Sequence, residues 1–473
     1  MAVRPGFLGG QPWSSARTWP VRSPESGANV AQVALAGAAE LAEALAAAAA
    51  AAPGMAAEPA YVRQERLYAI AAGIEARAEE FARCIVLEAG KPMRYARGEV
   101  ERAVRTFRAA GEEAVRVHGE VLPLDSVARG AGRQGLTRRV PVGACSFITP
   151  FNFPLNLAAH KVAPALAAGC PFVLKPAEKT PLTALLLAEV MAAARPQAPR
   201  GAWSVLPALP QDTAPLIEDA RVKLLSFTGS ARVGWELRRR AACAKVVLEL
   251  GGNAATILGE DWEDLETALN RCSVGAFAFS GQVCIKLQRL LVPRRRFDAV
   301  ADGMSRRAAA LRRGPLLDPE TEIGPLITTE AAARVSDWIE QARAGGARIH
   351  AGGRRDGAFV EPTVLSDVPR HQPAWCDEIF GPVLVIAPYD DFEEALALAN
   401  DTPYGLQASL FTHDWRRMER AWSALEVGQV ILNESPAWRS DDMPYGGVKR
   451  SGLGREGVRY AIEEMTELRL LVL

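Results

Sequence analysis

One cysteine of this chain sits in surroundings suited to chemistry. In Ser280-Gly281-Gln282-Val283-Cys284 a thiol follows a Gly-Gln turn. If that turn opens a helix, its backbone N–H groups favour the nucleophilic thiolate. Otherwise a free cysteine is a small buried hydrophobe. Leu248-Glu249-Leu250-Gly251-Gly252-Asn253 places a carboxylate at the end of an apolar strand, ahead of two glycines. Glu249 is then a strand-end cap or a general base whose burial strengthens its hold on a proton. In Pro150-Phe151-Asn152-Phe153-Pro154 two prolines fix the backbone around an asparagine. Its amide can donate to an oxyanion or cap the following helix.

Two turns suit a nucleotide. Leu174-Lys175-Pro176-Ala177-Glu178 follows a strand and carries a lysine and a carboxylate; the carboxylate can accept from ribose hydroxyls and repels a 2′-phosphate. Phe227-Thr228-Gly229-Ser230-Ala231-Arg232-Val233-Gly234 runs from a strand into a helix whose N-terminus can face a phosphate. It is not the Gly-x-Gly-x-x-Gly fingerprint. Asp377-Glu378-Ile379-Phe380-Gly381-Pro382-Val383 joins an acid to an aromatic just before a strand. Only eight of the 55 basic residues are lysine, so a lysine inside a motif is less readily background here.

The elements that must position these residues alternate. Strands are expected over 138–147, 171–176, 203–206, 222–227 and 245–250, with helices over 155–168, 182–194 and 233–239 between them. This is the signature of a parallel sheet with crossover helices. A second alternating run covers 254–432. Ahead of both, the alanine tract 38–52 forms a helix ended by Pro53-Gly54, and amphipathic helices cover 62–89 and 94–118. The segment 119–139 is a projecting hairpin and 466–473 an apolar strand, neither with an obvious neighbour. Pairing between subunits is the expectation for both.

Composition narrows the class. The 473 residues are 49% apolar and 23% charged, enough for a large core and about three domains. Acidic and basic residues balance at 55 each, which leaves no electrostatic footprint for nucleic acid or an anionic membrane. No run reaches the ~20 apolar residues of a membrane span, and the N-terminus lacks a signal-peptide core. Seven scattered cysteines without a Cys-x-x-Cys pair, and five histidines, offer no metal framework. They read as reduced thiols of a cytoplasmic enzyme.

Together these six segments resemble the aldehyde dehydrogenase superfamily, over nearly the whole chain. Gly10-Gln11-Pro12-Trp13 and the closing run Pro444–Gly457 are similar to its first and last signatures. The resemblance implies an α/β fold with three parts. These are a Rossmann-like NAD-binding domain over 1–118 and 140–249, a catalytic domain over 250–445, and a small β oligomerisation element from 119–139 and 455–473. It implies that Cys284 is the nucleophile, Glu249 the base, and Asn152 with the Cys284 N–H the oxyanion hole. Lys175 and Glu178 would hold the adenine ribose, Ser230 the pyrophosphate and Glu378 the nicotinamide ribose. Phe380 would lie near the nicotinamide, and Gly229, Val233 and Leu250 would also line the cofactor. Glu178 favours NAD, with NADP accepted less well. The substrate would meet Phe153, Leu157, Val283 and Ile285, while Arg439 either receives a polar or anionic tail or pairs with Asp441 or Asp442. Residues 159–165 and 433–439 are similar to the lactaldehyde- and phosphonoacetaldehyde-oxidising branch, which implies a short to medium aliphatic aldehyde or hydroxyaldehyde. A CoA-acylating enzyme and a non-catalytic relative of the lens type are the alternatives. A homodimer or homotetramer is expected.

Overall fold

The structure, a computed structural model, describes residues 2–473. Five parallel strands, in the order Lys245–Glu249, Leu224–Thr228, Cys145–Ile148, Phe172–Lys175, Trp203–Val205, form the centre of an eight-stranded sheet. They read as continuous apolar runs because both faces are covered. Side chains alternate between two cores. Cys145, Phe147, Phe172 and Leu174 enter the one that includes the helix Asn156–Ala168, whereas Ile148, Val173, Leu225 and Phe227 enter the one beneath the helix Ala38–Ala57. Strand order reverses between Cys145–Ile148 and Leu224–Thr228, and ligands of such sheets bind in the crevice at the carboxyl ends on either side of that reversal.

The second sheet has seven strands, in the order Arg348–Ala351, Thr363–Ser366, Val383–Tyr389, Leu287–Pro293, Ala254–Leu258, Gln407–Phe411, Gln429–Leu432, parallel except for the first. Leu250-Gly251-Gly252-Asn253 is all that separates the end of Lys245–Glu249 from the start of Ala254–Leu258. That short link turns the carboxyl ends of the first sheet toward the amino ends of the second. The loops before Leu287–Pro293 and Val383–Tyr389 therefore meet the loops after Cys145–Ile148, Phe172–Lys175 and Leu224–Thr228.

Several expectations need correction. The two strands without neighbours pair with each other inside one chain: Thr466–Val472 runs antiparallel to Gln134–Pro141, which also pairs with Val121–Pro123. The run 138–147 is two strands in different sheets, separated at Gly143, whose φ is +115°. Pro53 does not end its helix, which continues to Ala57. Ala44, Ala48, Ala51 and Met55 form one buried stripe, and that burial carries the helix past the missing N–H. The run 62–89 is two helices, Ala60–Ala76 and Ala78–Ala89, broken at Arg77.

Candidate active site

Asn152 lies four residues beyond the strand Cys145–Ile148 and is buried. Its Nδ2 donates to the Gln282 carbonyl at 2.8 Å. It does not cap the helix Asn156–Ala168, because Glu99 Oε1 accepts from the N–H groups of Leu155 (2.9 Å) and Asn156 (3.1 Å) and does that work from another helix. The amide carries two hydrogens, so one fixes its plane and the other is free.

Cys284 is not at a helix start, contrary to expectation. It occupies a turn between the single 3₁₀ turn Ala278–Gly281 and the strand Leu287–Pro293. Phe279, Ser280 and Gly281 take left-handed conformations in succession (φ 48°, 54° and 68°). Ser280 Oγ donates to the Gly324 carbonyl at 2.7 Å, and any side chain at Gly281 would run into the Gly381 carbonyl. Cys284 Sγ lies 3.0 Å from the Tyr445 hydroxyl. Burial pushes the thiol up to about 11, with the Tyr445 hydrogen bond acting in the opposite direction. A nucleophile held as thiol needs a nearby base.

Glu249 ends its strand fully inside the protein, and neither carboxyl oxygen has a hydrogen-bond partner among the described residues. Burial, and next the Glu456 carboxylate, raise its pKa well above the ordinary carboxylate range. Glu456 is buried beside it and accepts from Lys161 Nζ at 2.8 Å, and Lys161 also donates to Ser226 Oγ at 2.7 Å. Lys161, Tyr445 and Glu456 all lie in segments singled out in the sequence, yet nothing there gave them roles. The scarcity of lysine was the one available signal for Lys161.

Neither Asp441 nor Asp442 pairs with Arg439. Asp441 is taken by Arg102 (2.7 and 3.1 Å) and His160 Nε2 (2.8 Å), and Asp442 by Arg105. Burial acts to raise the Asp441 pKa, but the hydrogen bonds from His160 and Arg102 outweigh it and hold the group well below the carboxylate range. The His160 Nε2–H therefore points to Asp441, and the same nitrogen, 3.3 Å from Arg439, cannot also accept from the arginine. Arg439 lies with Cζ 3.6 Å from the Tyr445 ring centroid and its side chain 5% exposed. Among the described residues its Nε has no partner, and its nearest carboxylate oxygen, on Glu456, is 4.0 Å away. Ile285 packs with Leu406 and Tyr445, with Val283 and Met443 against them, giving Cys284 an apolar surround. Leu157 is buried one turn before Lys161, and Phe153 meets Phe279 edge to face at 6.1 Å.

The other end of the cleft fits a dinucleotide. Ser230 precedes the helix Ala231–Arg240 and makes no capping bond, so the first N–H groups of that helix are open to an anion. Gly229 and Val233 flank this turn, and Leu250 packs against Gly234. Lys175 Nζ and Glu178 Oε2 are 3.3 Å apart at the strand end. Glu378 accepts from Gly252 N–H at 3.0 Å and lies so close to Gly251 that a side chain there would displace the carboxylate. Burial pushes its carboxyl up to about 7. Phe380, held at φ 49°, meets Phe151 edge to face at 5.9 Å across the cleft.

A profile of the aldehyde dehydrogenase family matches residues 13–471. The chain belongs to that family. The 3-sulfolactaldehyde dehydrogenase of Priestia aryabhattai is 46% identical over 414 residues, 87% of this chain and 86% of that protein. The crystal structure of aldehyde dehydrogenase 21 from Physcomitrella patens with the product succinate superposes with a TM-score of 0.98 at 45% identity, covering 100% of this chain and 98% of that one. The glyceraldehyde-3-phosphate dehydrogenase GapN of Methanocaldococcus jannaschii, complexed with NADP, gives 0.93 at 37% identity, covering 97% and 100%. This aldehyde dehydrogenase has the α/β fold of its family and binds NAD or NADP. It oxidises an aldehyde to the acid through a covalent intermediate on cysteine.

Proposed function

We propose that this dehydrogenase oxidises a short aldehyde whose far end carries an anionic group. The observation behind this reading is Arg439. Its side chain is only 5% exposed and under-partnered, and it stacks on the ring whose hydroxyl touches the Cys284 sulfur. One phenol ring thus separates the nucleophile from an unmatched guanidinium, a span suited to a chain of a few carbons. A carboxylate, sulfonate or phosphonate would supply the acceptors that the guanidinium lacks. The 3-sulfolactaldehyde for which the Priestia relative is named and the product succinate bound to the Physcomitrella enzyme both carry such an anionic group. The apolar surround of Ile285, Val283 and Leu157 suits the carbons between. A plain hydroxyaldehyde of the same length is the second reading, favoured by the kinship to lactaldehyde dehydrogenases.

In this assignment the Cys284 thiol loses its proton to water in the cleft, and the thiolate adds to the carbonyl carbon. The free hydrogen of the Asn152 amide and the Cys284 N–H take the oxyanion. When bound, the nicotinamide supplies the hydride acceptor. Cys284 then carries the acyl group as a thioester, and Glu249 draws a proton from water for its hydrolysis. Lys161 balances Glu456, so that Glu249 faces one uncompensated carboxylate fewer. Lys175, Glu178, Ser230 and Glu378 hold the cofactor, and Glu178 gives NAD the advantage over NADP. Residues 1–118 with 140–249 and residues 250–445 act as the nucleotide and catalytic domains. The strand Thr466–Val472 leaves Leu468, Leu470 and Leu471 more than half exposed, which supports assembly as a homodimer or homotetramer through this element. No helix among the described residues is long and apolar enough to cross a membrane. All seven cysteines are free, which supports a reducing, cytoplasmic setting.

The test is a steady-state panel of matched aldehydes, neutral and anionic at equal length, run with and without CoA. A preference for the anionic member, unchanged by CoA, is expected. Equal kcat/KM across each pair would overturn the substrate reading, and strict dependence on CoA the hydrolytic one.

A further inference from the structure

Four of the eight lysines are buried, namely Lys91, Lys161, Lys175 and Lys286. Lys161 and Lys175 belong to the site described above, whereas Lys91 has no part in it. Lys91 follows the left-handed Gly90 that closes the helix Ala78–Ala89, and it pairs with Glu99 on the next helix, Met93–Ala114. Both side chains are 0% exposed. A fully buried ion pair is tolerable only where the remaining bonding capacity of both ions is used. Glu99 uses its second oxygen on the N–H groups of Leu155 and Asn156. Lys91 uses two rings: its Nζ lies 3.6 Å from the Phe153 centroid and 4.4 Å from that of Phe279. A desolvated ammonium on aromatic faces is held firmly. Burial lowers the Lys91 pKa to about 8, with Glu99 acting against that shift.

The two rings come from the two loops that must meet for the chemistry. Phe153 is the residue after Asn152. Phe279 opens the left-handed run that leads to Gln282, whose carbonyl holds the Asn152 amide, and on to Cys284. We propose that Lys91 is a positioning residue, clamping Phe153 and Phe279 so that the Asn152 amide and the Cys284 N–H converge on one oxyanion position. Glu99 completes the clamp by fixing the start of the helix that follows Asn152. The inference rests on the assignment of Asn152 and Cys284 given above.

A double-mutant cycle tests it. Lys91→Met removes the ammonium but keeps a flexible chain against the rings. Its kcat should fall by ~10-fold to ~100-fold, the size of effect that a small misplacement of a catalytic group produces. Cofactor affinity should stay within about twofold, because the nucleotide loops are untouched. In an Asn152→Ala background the same change should cost less than about twofold, since the group that Lys91 positions is gone. Equal losses in both backgrounds would mark Lys91 as a general structural residue and overturn the proposal, as would an unchanged kcat in Lys91→Met. If Lys91→Met fails to fold, Phe279→Leu, which leaves the ion pair intact, must show the same non-additivity with Asn152→Ala. Additive behaviour there overturns the proposal equally. An Asn152→Ala enzyme with full kcat would instead refute the oxyanion assignment, a result distinct from additivity.

Discussion

Two lysine–glutamate pairs mark the two ends of the cleft. At the cofactor end, Lys175 and Glu178 lie three residues apart in sequence and 3.3 Å apart in space, with Glu178 26% exposed. Behind Glu249, the proposed general base, Lys161 and Glu456 are 295 residues apart, meet at 2.8 Å and are 1% and 2% exposed. Lys175 is only 5% exposed, so water reaches the first pair through Glu178, whose carboxylate is able to turn toward a ligand. The second pair is dry and fixed, because removing either partner would strand a buried charge. The difference separates two tasks. In the proposed assignment, the buried end sets the rate of bond making, and the other end selects which cofactor is accepted.

The largest expected effect is at the buried end. Cys284→Ala should abolish aldehyde oxidation while cofactor affinity, read by fluorescence titration, stays unchanged. Lost cofactor binding in this variant would break the division between the two ends. Glu249→Gln should slow thioester hydrolysis by ~10²-fold or more, leaving one fast turnover of reduced cofactor visible as a burst. The wild-type pH profile sharpens the point. Burial raises the Glu249 pKa well above its ordinary range and the Cys284 thiol to about 11, so both reactive forms grow as protons are removed. The rate should climb from neutral pH into the alkaline range, and the hydrolytic step should lose its share of that slope in Glu249→Gln. A profile that falls over this range would remove Glu249 from the role of base.

The same contrast explains what could be read from sequence. The strand–turn–helix units and the motifs of Cys284, Glu249, Asn152, Lys175 and Glu178 are each contained within a few consecutive residues, so type and spacing expose them. The Lys161–Glu456 pair, the Tyr445 hydroxyl on Cys284 and the helix cap supplied by Glu99 are made by residues far apart in the chain. No local pattern records such contacts. A Gly-Gln step can open a helix, whereas three successive left-handed residues build the turn before Cys284 instead. The strands 134–141 and 466–472 seemed to lack partners only because each is the other's partner across most of the sequence.

Arg439 stands between the two ends, and its effect should be intermediate. Arg439→Leu keeps bulk on the Tyr445 ring but removes the guanidinium. For an anionic aldehyde KM should rise by ~10-fold or more, in line with a lost charge-assisted hydrogen bond of about 1.5–3 kcal/mol, with kcat nearly unchanged. A neutral aldehyde of equal length should be affected little. Equal losses for both would make Arg439 a packing residue of the Tyr445 ring.

The smallest effect is expected at the open end. A carboxylate at position 178 accepts hydrogen bonds from ribose hydroxyls, whereas the 2′-phosphate of NADP brings up to two negative charges against it. At an intermediate dielectric such repulsion amounts to a few kcal/mol. Two features reduce that figure here: Glu178 is partly open to solvent, and the Lys175 ammonium lies 3.3 Å away. A preference of about tenfold for NAD in kcat/KM, or ~1.4 kcal/mol, is therefore expected instead of exclusion. Glu178→Ser removes the repelling charge and leaves Lys175 without its counter-ion, so the ratio of NADP to NAD efficiency should rise by about the same factor. Salt should compress the wild-type preference more than that of the variant, because only the wild type has the exposed carboxylate to screen. Wild-type enzyme that uses both cofactors equally, or a ratio unmoved in Glu178→Ser, would show that selection is made elsewhere in the cleft. The buried pair would then be the only one of the two with an assigned task.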